Sequence, residues 1–511
     1  MSRSDRVLVV GAGHNGLMCG LRLAAAGVDV LVLEQGPTPG GAVASSEDAL
    51  PGFVHDPCSG FFPLTAASPA FRALGLERHG LEWINPRVPM AHPQAGGRAM
   101  LLQRDLEATA SSLDAVAPGS GEAWSSFMGP LLPHAELLVR SGLEPFPPIG
   151  PASRLFLRLR RGAVDLARLM LGSATTMGRE LFGQEAPTAW LCGSTAHSDL
   201  SPGAAGGGAF AFVLQMLGHL VGWPFPRGGA GRLSEAMVAR LRELGGRVRC
   251  GVRVEEILCR GGRAAGVRLA GGEELAADAV VATVSAGSLG AMLPDGALPG
   301  RLLRRLRRWR YGLGTFKLDW ALSQPVPWEA EEARQAAVVH VAGTLDELFK
   351  SAEESGRGHV PAAPTLVTGQ HTVHDPSRAP DGKHTFYAYA RVPSEPDVPD
   401  EEIAERAEAR IEAFAPGFRQ LILARSLRGP ARLERDNPSL VGGDLGGGSF
   451  ELDQQLVFRP APELVRYRTP LGGLYVGGTS VHPGAGVHGA CGAGAAGAVL
   501  SDRSPLRFWR R

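Results

Sequence analysis

The segment from residue 6 to residue 34 constrains the fold of this chain more than any other part of its sequence. A short apolar run, Arg6–Val10, leads into Gly11-Ala12-Gly13-His14-Asn15-Gly16, and apolar residues then recur at helical spacing. A second apolar run over residues 28–33 ends in Glu34. Glycines in this pattern let the backbone approach a pyrophosphate at a helix N-terminus, and an acid at this offset can accept hydrogen bonds from ribose hydroxyls. The segment therefore predicts a doubly wound α/β fold that binds a dinucleotide.

Length and composition limit the class of protein. With 511 residues, 44% hydrophobic and 20% charged, the chain is long enough for two or more domains around a large core. A net charge of +1 gives no reason to expect a nucleic-acid partner. The six cysteines lack a C-x-x-C pair or zinc-type spacing, which predicts reduced thiols and no metal site. Because no apolar leader precedes the first strand, we expect a cytoplasmic protein.

Three glycine-rich blocks, at residues 6–45, 222–287 and 471–500, are typical of one α/β unit although they lie far apart in the sequence. The dinucleotide domain is therefore predicted to be discontinuous. Strands predicted at 314–322 and 384–392 belong to a second, substrate-facing domain. The expected dinucleotide-domain parts are 1–85, 222–300 and 441–511 with the C-terminal tail, and the substrate-domain parts are 86–221 and 301–440.

Several short motifs carry a family resemblance. They are Gly13-His14-Asn15-Gly16, Pro51-Gly52-Phe53, Pro226-Arg227-Gly228-Gly229, Phe316-Lys317-Leu318-Asp319-Trp320, residues 375–380, residues 437–444, Gly477-Gly478 and residues 482–487. In these motifs, and over essentially its whole length, the chain resembles the phytoene desaturase-like flavoproteins. That family includes carotenoid desaturases and isomerases and retinol saturase. The resemblance is strongest to its pyridine nucleotide-disulphide oxidoreductase domain-containing protein 2 subgroup.

The resemblance implies FAD as cofactor, held by a Rossmann-like (GR2-type) domain beside a substrate domain of mixed sheet and helices. The apolar residues of segment 247–258 predict a strand, and the resemblance implies that this strand passes the adenine. A helix is predicted to start near 486–489 with its N-terminus at the flavin pyrimidine edge, which would favour the reduced flavin. Ala42 departs from the family, because many relatives have an arginine there. The implied FAD-binding residues are Gly11, Gly13, His14, Asn15 and Gly16 at the pyrophosphate, Glu34 at the ribose, Gly40 and Gly41 at the ribityl side, Val254 at the adenine, and Gly478, Gly486 and Val487 at the ring system.

The catalytic residues stay unassigned, because no nucleophile–base pair, carboxylate pair or metal cluster emerges from the sequence. His482 and His488 flank the last glycine block, where a histidine could tune the flavin potential, relay a proton or be structural. Lys317 alternates with Asp319 along a predicted strand, so both charges share one face. That face is either exposed and salt-linked or a polar pair above the flavin. Residues 55–58 form either a loop that covers the cofactor or an ordinary loop.

Arginine-rich amphipathic stretches at residues 154–161 and 301–310, and the C-terminal segment 506–511, interleave arginine with Leu, Phe and Trp. Interfacial helices place such apolar side chains at lipid headgroups and guanidinium groups on phosphate. We therefore expect peripheral contact with a membrane surface, with a solvated helix face as the alternative. The uncharged segment 203–223 differs, because three consecutive glycines and a following Pro-Phe-Pro breaker favour a buried helix over a membrane span.

Together these features predict an FAD-dependent oxidoreductase acting on a carbon–carbon bond of an apolar, isoprenoid or polyene substrate. Desaturation, saturation or isomerisation would proceed by hydride transfer to or from flavin N5. A flavin amine or amino-acid oxidase is the first alternative, and it would place an aromatic pair over the flavin and an arginine on the substrate carboxylate. An isoprenoid-binding escort protein without activity is the second. The retained Gly11, Gly13, Gly16 and Glu34 argue against it, because a lost cofactor removes the need for them.

Overall fold

The computed structural model describes residues 6–504, so the basic segment 506–511 lies outside the described residues. Helices and strands alternate along most of the chain. The strands are β1 (Arg6–Val10), β2 (Asp29–Leu33), β3 (Trp83–Ile84), β4 (Val88–Gln94), β5 (Arg98–Leu102), β6 (Phe225–Pro226), β7 (Arg247–Arg249), β8 (Val254–Arg260), β9 (Arg263–Leu269), β10 (Glu274–Ala276), β11 (Ala279–Ala282), β12 (Gly314–Leu322), β13 (Ala336–Val341), β14 (Leu366–Gly369), β15 (His384–Val392), β16 (Ile422–Arg428) and β17 (Leu474–Val476). The α-helices are α1 (His14–Ala25), α2 (Pro63–Ala67), α3 (Pro69–Arg72), α4 (Leu106–Val116), α5 (Ser120–Met128), α6 (Ala135–Leu143), α7 (Ile149–Leu159), α8 (Arg161–Leu171), α9 (Ala174–Phe182), α10 (Glu185–Cys192), α11 (Gly207–Val221), α12 (Gly231–Glu243), α13 (Ala286–Ala291), α14 (Gly300–Arg307), α15 (Leu345–Gly356), α16 (Asp400–Glu412), α17 (Pro430–Asp436) and α18 (Ala490–Arg503).

A five-stranded parallel sheet forms the centre of the first domain, in the order β17-β11-β1-β2-β7. Strand β1 lies in the middle, and four of its five residues are buried, as an apolar strand covered on both faces should be. The strands come from three distant parts of the chain, at residues 6–33, 247–282 and 474–476. The predicted α/β fold with a discontinuous Rossmann-like domain is therefore confirmed, whereas the exact domain boundaries stay a prediction.

The predicted strand over residues 247–258 is wrong, because the chain turns in its middle. Strand β7 joins the parallel sheet beside β2, and β8 belongs to a separate antiparallel sheet with β9 and β10. Gly251 lies between them at a φ of +69°, a left-handed conformation that glycine adopts without strain. The amide of Gly251 donates to the Gly36 carbonyl, and that of Val252 donates to the Glu34 carbonyl, both at 2.8 Å.

A seven-stranded mixed sheet, β16-β12-β15-β14-β13-β4-β5, forms the second domain. Neighbouring residues Val338 and Val339 of β13 belong to different apolar clusters, so both faces of this sheet are covered. The predicted strands 314–322 and 384–392 are confirmed as β12 and β15. Helix α11, predicted from the segment 203–223, contributes buried residues such as Phe212 and Leu217 to the cluster on one face.

The arginine-rich stretch 301–310 does not present an apolar face to solvent, which contradicts the interfacial helix expected there. Leu302, Leu306 and Trp309 are buried in the core of the first domain. Arg301 and Arg305 both form ion pairs with Glu463. Across residues 6–504 no helix has the length and apolar character needed to cross a bilayer.

Candidate cofactor and substrate site

The turn between β1 and α1 can exist only with glycine at two of its positions. Gly11 has a φ of +99°, and a methyl group on it would lie 2.7 Å from the Thr283 hydroxyl. A methyl group on Gly16 would overlap the Gly11 carbonyl oxygen. Helix α1 begins at His14, and its N-cap residue, Gly13, has no side chain that could cap the first backbone N–H groups. The first turn of α1 therefore keeps backbone N–H groups available for an anion.

Glu34 follows β2 and braces this turn. Its two carboxylate oxygens accept hydrogen bonds from the backbone N–H groups of Ala12, at 2.7 Å, and Gly36, at 2.8 Å. Glu34 also lines the cavity described below. Its acceptor oxygens are therefore placed both to hold the turn and to meet a ligand hydroxyl.

A cavity of about 1020 Å³ runs from the glycine turn into the second domain. This volume is at the upper end of ligand sites, which range from about 300 to 1000 Å³. Ten of the twelve residues predicted from the sequence line it, namely Gly11, Gly13, His14, Asn15, Gly16, Glu34, Gly41, Val254, Gly486 and Val487. Gly40 and Gly478 pack behind the wall instead. A methyl group on Gly40 would lie 2.9 Å from the Ser234 hydroxyl, and one on Gly478 would lie 2.8 Å from the Val284 carbonyl oxygen.

These residues fit an FAD molecule. Gly11 and Gly16 leave no room for a side chain, so the backbone can lie close to a ligand. The helix N-terminus suits a pyrophosphate, and Glu34 suits a ribose. The His14 ring supplies a neutral surface, because burial lowers its pKa to about 4 despite a hydrogen bond with the Gly486 backbone. Ala42 and Arg428 both line the cavity, so the wall carries a guanidinium group although residue 42 is not an arginine.

The two candidate histidines lie off the cavity wall, in the loop before α18. That helix begins at Ala490, slightly later than predicted. The imidazole of His488 accepts a hydrogen bond from the Ala490 amide at 3.0 Å and contacts the Gly484 carbonyl at 3.2 Å. Burial lowers the pKa of His488 to about 3. His482 contacts the Glu144 carbonyl at 3.2 Å. Both contacts give these histidines structural roles in this loop.

Lys317 and Asp319 form a buried ion pair on β12, so the expected exposed face is wrong. The sheet is covered on both sides, and every residue of β12 is buried. Asp319 also pairs with Arg428 at 2.7 Å and with His55 at 3.5 Å. Burial alone would raise the pKa of Asp319, but Lys317, His55 and Arg428 hold that pKa well below its ordinary value. Lys317 does not line the cavity; its ammonium lies 4.3 Å from the ring centre of Tyr387, which does.

Asp56 forms a second buried charge cluster next to the first. It accepts hydrogen bonds from the Ala230 amide and the Ser45 hydroxyl, each at 2.8 Å, and from Arg378 at 2.7 Å. Arg378 in turn pairs with Asp375 at 3.2 Å. The loop 55–58 is thus fixed to the rest of the protein, and Cys58 lies on the cavity wall. Arg378 and Asp375 both belong to the motif at 375–380, and their buried ion pair is not apparent from the sequence alone.

Strand β15 brings to the cavity polar side chains that are not among the predicted site residues. Tyr387, Tyr389 and Arg391 alternate along the strand and line the cavity together. The Tyr389 hydroxyl lies 3.0 Å from Nδ1 of His197, whose Nε2 lies 2.9 Å from that of His340. Burial lowers the pKa of His197 to about 3 and raises that of Tyr389 to about 12, so both groups are neutral at pH 7. The alternating Tyr-Ala-Tyr-Ala-Arg pattern was the available signal.

Comparison with known proteins assigns the chain to a family. It matches the family model described as flavin containing amine oxidoreductase over residues 16–500. It is 27% identical to the pyridine nucleotide-disulfide oxidoreductase domain-containing protein 2 of Rattus norvegicus, over 97% of this chain and 93% of that protein. It is 28% identical to the zeta-carotene-forming phytoene desaturase of Myxococcus xanthus, over 95% and 92%. The hydroxyneurosporene desaturase of Cereibacter sphaeroides is also 28% identical, over 97% and 98%.

Solved structures of similar fold have low sequence identity to this chain. A putrescine oxidase variant superimposes with a TM-score of 0.64 at 16% identity, covering 98% of this chain and 99% of its own. Cyclohexylamine oxidase from Brevibacterium oxydans gives a TM-score of 0.62 at 17% identity, with the same coverage. At such identities the likeness extends to the fold alone. The family match and the relatives confirm the resemblance to the phytoene desaturase-like flavoproteins, and the chain belongs to the flavin-containing amine oxidoreductase family as an FAD-dependent oxidoreductase.

Proposed function

We propose that the protein catalyses hydride transfer at a carbon–carbon bond of an apolar substrate, by desaturation, saturation or isomerisation. The observation that carries this proposal is the apolar wall of the cavity beyond the glycine turn. Apolar and aromatic side chains from both domains form it. They include Phe61, Leu64, Phe210, Leu214, Trp223, Val338 and Phe450. Such a wall binds a hydrocarbon by burying its surface and excludes water from the reacting atoms.

The relatives support this proposal by their names. Phytoene desaturase and hydroxyneurosporene desaturase are named for desaturation, and both are aligned with this chain over nearly its full length. When bound, the flavin supplies the hydride acceptor for desaturation. The chain must then accept the proton that leaves the neighbouring carbon. Loss of hydride would leave one substrate carbon cationic, which makes a proton on the neighbouring carbon strongly acidic. We assign its acceptance to Tyr389 and His197: the tyrosine oxygen takes the proton while the hydroxyl proton passes to Nδ1 of His197, and a weak neutral base suffices for so acidic a proton.

A second candidate function, oxidation of a carbon–nitrogen bond in an amine or amino acid, is favoured by Arg391. Its guanidinium donates to the Thr315 hydroxyl at 2.7 Å and to the His197 carbonyl at 2.8 Å. It has no carboxylate partner among residues 6–504, and its Nε is buried without an acceptor. A substrate carboxylate would pair with the guanidinium charge and accept a hydrogen bond from Nε. The tyrosines on either side of Ala388 supply the aromatic pair that such an oxidase requires.

Anaerobic reduction of the FAD-loaded protein separates the two functions. The flavin absorbance is followed against a monoterpene, a polyene, an aliphatic amine and a neutral amino acid. Bleaching by the hydrocarbons, retained in Arg391→Met and slowed in Tyr389→Phe, supports the proposal. Bleaching by the amino acid alone, with its loss in Arg391→Met, establishes the second function and refutes the first. A protein that takes up no FAD would refute both.

A further inference from the structure

The exposed apolar side chains of this protein are concentrated in one region. Of nine large apolar residues that are exposed within residues 6–504, eight lie in two segments, α7–α8 and the loop 452–458. Leu157 and Ile149 are the most exposed, with 73% and 72% of their surface open to solvent, and the neighbouring Phe156 is 56% exposed. The eight residues, called the apolar patch below, are Ile149, Phe156, Leu157, Val164, Leu171, Leu452, Leu456 and Phe458.

The two segments meet at Gly206. Its amide donates to the carbonyl oxygens of Leu171, at 2.9 Å, and Gly172, at 3.0 Å. A methyl group on Gly206 would lie 2.9 Å from a terminal carbon of Leu452. Leu171 and Leu452 therefore flank the same turn and join the two segments. An exposed apolar surface that is shared by separate segments marks an interaction site.

Four arginines accompany the patch. Arg154, Arg158, Arg160 and Arg161 are exposed, and none has an ion pair among the residues that the structure describes. Arg168, on the same helix pair, contrasts with them because it is bound to Glu180. Unpaired guanidinium groups beside exposed Leu and Phe match the headgroup phosphates and acyl boundary of an anionic bilayer. A second copy fits less well, because a twofold contact through this surface would bring like charges together.

The patch adjoins the cavity. The rings of Phe210 and Phe450 meet edge to face, with their centres 5.0 Å apart, and both line the cavity. Phe210 is in α11, which begins directly after Gly206, and Leu452 follows Phe450 by two residues. We propose that the apolar patch docks on the surface of an anionic lipid bilayer. If the proposed function holds, this contact brings the Phe210–Phe450 pair to the lipid from which an apolar substrate would enter.

Vesicle flotation of the full-length, FAD-loaded protein tests the docking without any substrate, so it does not depend on the proposed function. Vesicles of phosphatidylcholine alone are compared with vesicles that also contain phosphatidylglycerol. The wild-type protein should bind only the anionic vesicles. Binding should weaken as salt rises, because the Debye length falls from about 10 Å at 0.1 M to about 3 Å at 1 M.

Matched variants locate the contact. Arg154→Gln/Arg158→Gln/Arg161→Gln should bind on the order of a hundredfold more weakly, at about tenfold or less per charge. Phe156→Ser/Leu157→Ser should also lose binding. The control Arg304→Gln/Arg307→Gln/Arg308→Gln removes three exposed arginines of the other basic stretch and should bind like the wild type. Retained FAD absorbance verifies that each variant is folded.

Three outcomes would overturn the proposal. The wild type could fail to bind anionic vesicles, or both arginine variants could lose binding equally. A variant ending at Ser504 could lose all binding, which would place the contact in the C-terminal segment. Size-exclusion chromatography tests whether a second copy of this chain, instead of a bilayer, covers the apolar patch. A dimer that Phe156→Ser/Leu157→Ser converts to a monomer, without vesicle binding by the wild type, would make the patch a contact between copies.

Discussion

The close approach of α1 and α18 allows a sharp prediction about two glycines of one helix. Gly492 faces α1, and a methyl group on it would overlap the Asn15 carbonyl oxygen and lie 2.8 Å from the Asn15 carbonyl carbon. These are backbone atoms, so they cannot rotate away. Gly497 is in the same helix, and a methyl group there would meet nothing within 4 Å. Gly492→Ala and Gly497→Ala therefore make the same chemical change in opposite surroundings.

The two variants are expected to change the free energy of unfolding in opposite directions. Alanine is favoured over glycine inside a helix by about 1 kcal/mol, so Gly497→Ala should stabilise the fold by up to that amount. At Gly492 the same gain is outweighed by overpacking, which costs about 1–3 kcal/mol and more where backbone must move. The free energy of unfolding should differ between the variants by about 2–3 kcal/mol. FAD affinity should also fall in Gly492→Ala, because the Asn15 that must shift lines the cofactor cavity.

Urea unfolding followed by circular dichroism, with and without added FAD, measures the first quantity, and flavin fluorescence on dilution measures the second. Gly497→Ala is the control for any general effect of a methyl group on α18. Equal unfolding free energies and equal FAD retention in the two variants would refute the packing of α18 on the pyrophosphate turn.

Three other changes have defined outcomes. Glu34→Ala should weaken FAD binding by about tenfold or more, since each backbone donor left without a charged acceptor costs about 1–3 kcal/mol; unchanged affinity in a fluorescence titration would contradict this. Lys317→Met should lower the unfolding free energy by about 3 kcal/mol, because it takes a cation from the buried Asp319; a stability within about 0.5 kcal/mol of wild type would show the pair to be dispensable. Nε2 of His219 accepts a hydrogen bond from Trp124 at 3.0 Å, and burial lowers the histidine pKa to about 4. The unfolded chain takes up this proton first, near pH 6.5, so His219 should lower the stability by about 1.4 kcal/mol per pH unit from there to about pH 4, in addition to the contributions of the other buried histidines. His219→Gln should therefore show a pH slope smaller by one proton.

Local patterns in the sequence were enough to predict the elements around the cofactor. An apolar run before a glycine turn predicted β1 and the start of α1, and alternation of apolar and polar residues predicted β12 and β15. The segment 247–258 was predicted to be one strand, because its apolar residues continue across Gly251 with the spacing of a single strand. Only the pairing of β7 with β2 and of β8 with β9 reveals the turn, and such pairing depends on residues far away in the sequence.

The candidate site was harder to predict, because its polar residues take their roles from distant partners. Lys317 and Asp319 alternate as an exposed polar face would, yet Arg428 and His55 meet them inside the protein. The position of His488 among glycines left a redox role, a proton relay and a structural role open. Its ring nitrogens instead bind the backbone of its own loop.

The two buried charge clusters link the cofactor cavity to the substrate wall. Asp56 holds together the loop after the glycine pair, the start of α12 and Arg378, while Asp319 joins β12 to His55, which precedes Asp56 in that loop. Lys317 adds the ring of Tyr387 to this arrangement. Buried ions keep such contacts only with all partners in place, since a lone buried charge is costly. The cofactor loop and the tyrosine face of β15 are therefore coupled, and a change in either cluster should alter FAD retention and substrate reactivity together.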